Sequence, residues 1–325
     1  VILAGVQIVG GLIVLLVGGH LLVQGAVMMA LLARLSTAVV ALTVVAMGTS
    51  LPELAVSLDA AARQSTDIAY GNVIGSCLFN LGAILGTAAV LRPIPVQRQT
   101  IRFEYPVMFF AALLTVILAR DGKVDHLEGV ALVIGLVVFM SSMVVLAKRG
   151  VPVDEVQALD QDVRRTAHIE AGAGRAWSKS MVLVLGGIVA LVIGADLAVT
   201  GSVTVARTLG IEERIIGLTI IAMGTSLPEL ATSIVATARG ENEIALGNVV
   251  GSNIFNVLAI LGITAAIFPV PVHERAIALD NRAMLAFSVV LFPMMLRGHR
   301  ISRANAVLLL VGFVTFMGYV LAFEL

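Results

Sequence analysis

The sequence predicts an all-α polytopic membrane protein, with ten transmembrane helices arranged as two inverted five-helix repeats. Three observations predict it. The chain of 325 residues is 59% apolar and only 13% charged, with a mean hydropathy of +1.03, whereas a soluble domain carries charge on roughly a quarter of its residues. Its apolar runs fall into ten segments of about the 20 residues that cross a hydrocarbon core of about 30 Å. The two halves also repeat each other at a single offset of 176 residues.

Taken in order, the expected spans lie at 6–28, 37–62, 68–90, 103–119, 127–147, 180–206, 213–238, 244–268, 283–296 and 304–323, the ninth being short. The first five form one repeat (1–147), a charged stretch (148–178) is the linker, and the last five form the second repeat (179–325). GTSLPELA at 48–55 returns unchanged at 224–231, and GNVIGS at 71–76 returns as GNVVGS at 247–252. Residues 43–63 match 219–239 at 15 of 21 positions, and 68–86 match 244–262 at 13 of 19. Because five is odd, the second repeat starts on the opposite side of the membrane. The two are then related by an axis in the membrane plane, which brings the matched motifs face to face at mid-depth.

All 21 Lys and Arg lie between spans or at their ends. With the N-terminus outside, 14 of them fall on the inner side against 7 on the outer, six of the 14 at 148–179, in the linker and at its end. The positive-inside rule therefore favours outer termini and a cytoplasmic linker. No cleavable signal is read in the first span. A net charge of zero gives no reason to expect a nucleic-acid partner. The single Cys77 excludes an internal disulfide and reads as buried filler.

Two carboxylates, Glu53 and Glu229, sit deep in spans, each in G-T-S-L-P-E. A charge at that depth costs several kcal/mol and normally lines a cavity or binds something. Pro52 has no N–H and its ring presses on the Gly48 carbonyl, so a break is expected there, with carbonyls freed around Ala46 and Met47. Thr49 and Ser57 share the face of Glu53, and Ser50 lies beside it. Asn72, Ser76 and Asn80 form a stripe on the next helix. The second repeat supplies Ala222, Thr225, Ser226, Glu229 and Ser233, then Asn248, Ser252 and Asn256. The inventory is oxygen without sulfur or imidazole, which suits hard cations and Ca2+ above all. One Ca2+ or two monovalent cations neutralise two carboxylates, and mutually exclusive occupancy is the physical basis of an antiporter.

GTSLPEL with GNVIGSCLFN, and GTSLPEL with GNVVGSNIFN, resemble the alpha-repeats of the calcium/cation antiporter superfamily, the sodium/calcium exchangers. The resemblance implies that Glu53 and Glu229 hold Ca2+. It implies that Thr49, Ser50, Ser76, Asn80, Thr225, Ser226, Ser252 and Asn256, with the carbonyls of Ala46 and Ala222, complete sites for Ca2+ and Na+. It further implies a multi-pass inner-membrane protein whose first and sixth helices slide against the rest. Potassium-dependent members, and some potassium-independent prokaryotic ones, carry Asp where this chain has Asn256; with one negative charge fewer here, K+-independent exchange is expected. The linker is too short for a Ca2+-sensing domain, and Asp154, Glu155, Asp160 and Asp162 in it read as a solvated loop.

Several residues have blander readings. Asn72 and Asn248 read as helix-packing groups, and Asp196, at the repeat position of His20, as half of a polar pair near a membrane surface. Asp59, whose repeat partner is Val235, is placed toward the outer end of its span. Glycines at 10–25 read as a packing or sliding surface. The alternatives to Ca2+/Na+ exchange are a Ca2+/H+ antiporter and a passive cation channel. No catalytic constellation or phosphate loop is read, so neither an enzyme nor a cofactor is expected.

Overall fold

The computed structural model describes residues 2–63, 66–149, 173–211, 220, 222–274 and 276–323. Among them, eight uninterrupted helices are long and apolar enough to cross a membrane, and one bent pair makes a ninth span. In chain order these are α1 (Ile2–Ala33), the bent pair α2 (Thr37–Thr49) and α3 (Leu51–Ala62), α4 (Ile68–Leu91), α5 (Thr100–Asp121), α6 (His126–Val145) and α7 (Gly174–Thr208). There follow α8 (Leu227–Arg239), α9 (Asn242–Ile267), α10 (Ala276–His299) and α11 (Arg303–Ala322). The start of the expected span 213–238 and the acidic cluster of the linker lie outside the described residues.

Helix ends differ from the expected spans because hydropathy marks the width of the membrane, not the reach of the backbone ladder. α1 and α7 run several residues beyond 6–28 and 180–206, and α7 begins inside the stretch read as linker. The short ninth span is a full helix, α10, whose first turn is π-helical at Ala276–Asp280. The chain is also not purely helical. Two-residue strands β1 (Ile94–Pro95), β2 (Lys123–Val124), β3 (Val270–Pro271) and β4 (Arg300–Ile301) pair antiparallel as β1–β4 and β2–β3. Each ladder takes one strand from each half. The α4–α5 loop of the first half thus meets the α10–α11 loop of the second, and the α5–α6 loop meets the α9–α10 loop. Backbone bonds from Val96 to His299 (2.8 Å) and from Val272 to Gly122 (2.7 Å) extend the ladders.

At the centre stand α4 and α9, each buried over 83% of its apolar window. Their repeat partners Cys77 and Asn253 meet, with Sγ 4.0 Å from the Asn253 carbonyl. α11 packs on α4, where a Cβ on Gly82 or Gly86 would strike Phe313 or Leu310.

The long helices α1 and α7 pack against each other antiparallel. A Cβ on Gly11, Gly18 or Gly25 would fall 2.6–2.8 Å from the backbone nitrogens of Ala198, Leu191 and Val184. Gly187 and Gly194 approach Leu22 and Leu15 in the same way, and Gly201 meets the Ala4 carbonyl. Both glycine series step by seven residues, so one face of each helix lies backbone to backbone on the other. Without a hydrophobic drive between helices in lipid, such close van der Waals approach is the main source of association. The remaining faces, with Leu12, Ile13, Leu16 and Val17 on α1, are apolar and exposed.

Candidate cation-binding site

The site forms where two helices break. The break comes at Ser50 (φ −86°, ψ 7°) and at Ser226 (φ −90°, ψ 8°), two residues before each proline and not at Gly48. α2 and α3 meet at 43°. Proline is well tolerated in a first turn, where its missing N–H has no helical partner anyway, so Pro52 and Pro228 start the second half-helix instead of kinking one helix. Gly48 and Gly224 then have no N–H four residues on to bond their carbonyls. Ala46 O keeps a partner, the Ser50 N–H at 3.1 Å, while the Ser226 N–H turns to Met223 O at 3.2 Å. Glu53 and Glu229 fall in the first turns of α3 and α8, where the helix dipole favours a carboxylate.

The halves interlock crosswise. Ser50 donates to Glu229 Oε1 at 3.0 Å, and Ser226 donates to Glu53 Oε1 at 2.9 Å. Ser226 Oγ also lies 3.1 Å from Ser76 Oγ. The Thr49 hydroxyl is 3.2 Å from Asn248 Oδ1 and that of Thr225 is 3.4 Å from Asn72 Oδ1. Of the expected site residues, Glu53, Glu229, Thr49, Ser50, Ser76, Asn80, Ser226, Ser252, Asn256 and Ala46 are buried, and Thr225 is half-buried. Ala46 packs on Gly251, next to Ser252. Ala222 opens the helical turn Ala222–Gly224, four residues before Ser226. Asn80 and Asn256 each begin a π-helical stretch, 80–84 and 256–261; such turns are common at functional sites.

Asn72 and Asn248, expected as helix-packing groups, do join helices. Asn72 Nδ2 donates to the Glu53 carbonyl (3.1 Å) and Ser57 Oγ (2.9 Å), and Asn248 Nδ2 to the Glu229 carbonyl (3.2 Å) and Ser233 Oγ (3.1 Å). These asparagines brace the broken helices from behind while their oxygens face the threonines of the opposite half. Their recurrence at the repeat offset was the signal available. Asp196 and His20, by contrast, do not meet. Arg239 Nη1 lies 3.2 Å from both ring nitrogens of His20.

The unmet hydrogen-bonding capacity has a pattern. Ten buried side-chain atoms lack a partner among the described residues, and half of them belong to the expected site: Glu53 Oε2, Glu229 Oε2, Asn80 Oδ1, Asn256 Oδ1 and Ser252 Oγ. Four of the five can only accept. No Lys or Arg occurs in α2, α3, α4 or α9, and the one in α8 is its last residue. Two carboxylates at 1% exposure without a basic partner on their own helices are untenable unless cations or protons join them. Acceptor oxygens around a pair of carboxylates are what a hard cation needs.

The two halves differ in what covers them. On α8, Ala231 and Val235 lie against α1, where a Cβ on Gly19 would stand 3.3 Å from the Ala231 carbonyl. The matched face of α3, carrying Leu51, Ala55 and Asp59, is exposed.

A model of the sodium/calcium exchanger proteins matches residues 3–145 and 179–322. CaxA of Alkalimonas amylolytica is 36% identical over 318 residues, covering 98% of both chains. The sodium/calcium exchanger MaX1 of Methanosarcina acetivorans is 32% identical, covering 94% of this chain and 95% of its own. The structure of the sodium-calcium exchanger NCX_Mj soaked with 10 mM Na+ and 10 mM Sr2+ superposes with a TM-score of 0.84 at 28% identity, over 98% of each chain. With its repeated motifs, apolar spans and paired carboxylates, the chain belongs to the sodium/calcium exchanger family of the calcium/cation antiporters.

Proposed function

We propose that this antiporter exchanges Ca2+ for Na+ by alternating access at the site of Glu53 and Glu229, without need of K+. The observation that carries this reading is the crosswise bonding of Ser50 to Glu229 and Ser226 to Glu53 around a set of unpartnered acceptors. Thr49, Thr225, Ser76, Ser252, Asn80 and Asn256, with the carbonyls of Ala46 and Ala222, complete the ligand set. Two carboxylates match one Ca2+ or two Na+, so each cargo excludes the other. Asn256 keeps the fixed charge at two, which leaves no third carboxylate to recruit K+.

The reading includes ten helices as two inverted five-helix repeats, in a bacterial inner membrane, with outer termini and a cytoplasmic 148–178 linker. Support comes from the strand pairing. Joining the α4–α5 loop of one half to the α10–α11 loop of the other requires those loops on one side, as inversion demands.

The test is 45Ca2+ uptake into proteoliposomes loaded with Na+, K+ or choline. Uptake driven by an outward Na+ gradient alone, and lost in both Glu53→Gln and Glu229→Gln, is the expected result. Uptake that ignores Na+ but follows an imposed pH gradient would move the assignment to Ca2+/H+ exchange, and single-channel currents would make it a channel. A strict K+ requirement would overturn the role given to Asn256.

A further inference from the structure

The covered and uncovered half-helices differ in one further respect. Where α1 lies on α8, the contact ends in a side-chain latch between His20 and Arg239. The repeat offset carries each of these residues to a definite partner position: Gly19 to Ala195, His20 to Asp196, Ala231 to Ala55, Val235 to Asp59 and Arg239 to Arg63. At those positions the contact is unmade. Ala55 and Asp59 are exposed, and Asp196, exposed on a long apolar helix, has no hydrogen bond or ion pair among the described residues. Arg63 is tied only to Asp59 on its own helix, Nε to Oδ2 at 2.8 Å, with both side chains largely solvated. Such an exposed pair holds its arginine weakly. An unpaired aspartate inside a span is costly enough to require a function or a partner.

We propose that Asp196 and Arg63 form the second latch of the transporter, made when α7 lies on the Leu51–Ala55–Asp59 face of α3 and broken when α1 lies on α8. The proposal rests on alternating access as read above. In the conformation seen here the first latch is closed and the second open. The opposite conformation exchanges them: His20 and Arg239 part, and Arg63 leaves Asp59 for Asp196. Ala195 then sits on Ala55 as Gly19 now sits on Ala231. The chemistry of the two latches differs, since one joins an arginine to an imidazole and the other an arginine to a carboxylate. Closing the second latch exchanges the Arg63 bond to Asp59 for one to Asp196, so each conformation keeps one modest polar contact and neither is locked.

Two cysteine pairs test it, in a Cys77→Ala background: His20→Cys with Arg239→Cys, and Asp196→Cys with Arg63→Cys. Each is treated in proteoliposomes during turnover with a short bifunctional methanethiosulfonate. Both pairs are expected to cross-link, each is expected to stop flux reversibly on reduction, and a protein carrying all four cysteines is expected to hold one link or the other but never both. A transporting protein that links the first pair and never the second overturns the latch, as does one that holds both links at once. In the reciprocal experiment, Asp196→Arg and Arg63→Asp should each slow exchange about tenfold and the double variant should recover most of the loss; absence of rescue also overturns it. A parent protein without flux under any gradient removes the exchange reading instead, so the two failures are distinct.

Discussion

α3 and α8 carry the same motif at the same repeat positions, yet one is open and the other covered. Ala231 is 7% exposed, whereas Ala55 is exposed. Glu53 and Glu229 are equally buried, at 1% each. The difference lies along the half-helices leading away from the carboxylates and not at the carboxylates themselves. The duplicated sequence supplies two matched half-helix faces beside one pair of carboxylates, and here α1 covers the α8 face while the α3 face is exposed. The carboxylate-bearing motif is identical in the two halves, so the difference lies in what packs on it and in flanking residues such as Val235 and Asp59.

The largest expected effect tests where the halves are alike. Gly18→Leu and Gly194→Leu insert side chains against backbone at 2.7–2.8 Å, and overpacking of this kind costs about 1–3 kcal/mol. Thermal unfolding in detergent should show the same loss for both, while Gly186→Leu, with nothing within 4 Å, should be near neutral. Unequal losses at the two matched glycines would mean that α1 and α7 do not contribute symmetrically to their seam.

A smaller effect should separate the halves. Asn72→Ala and Asn248→Ala each remove two donated bonds at a helix break, a loss of about 1–2 kcal/mol. Asn248 is 0% exposed and Asn72 is 8%, so water can replace part of what Asn72 provides. Asn248→Ala should therefore lower both stability and exchange rate more than Asn72→Ala. Equal losses would place the two breaks in the same environment and weaken the contrast.

The mildest substitution reads the contrast directly. Ala55→Cys and Ala231→Cys in a Cys77→Ala background should each change stability by less than about 0.5 kcal/mol, the range of tolerated changes. A hydrophilic maleimide should label Ala55→Cys rapidly and Ala231→Cys slowly. Comparable labelling of both would mean that α1 does not seal α8 in solution.

Much of this site is legible in the sequence because it is written twice. Glu53 and Glu229 stand out as charges in apolar spans, and the repeat assigns each serine, threonine and asparagine a counterpart. The location of the break is less legible. Pro52 predicts strain at Gly48, but a proline also suits a first turn, and only the backbone shows that the helix ends at Ser50 and restarts. The crosswise bonds of Ser50 and Ser226 are invisible to spacing, since they join residues 179 and 173 positions apart. The four strands leave no periodic trace at two residues each. The covering of one half cannot be written in either copy of GTSLPEL, because both are identical.

The strand ladders have a mechanical consequence. β1–β4 and β2–β3 stitch the halves together at two separate loop clusters, each stitch using a strand from both. A clam-like opening of one half from the other would tear both stitches at once. α1 and α7 contribute no strand to either ladder, so the frame they lie against is riveted while they are not. The duplication thus joined the halves at both loop clusters and left the zipped glycine pair without a strand in either ladder.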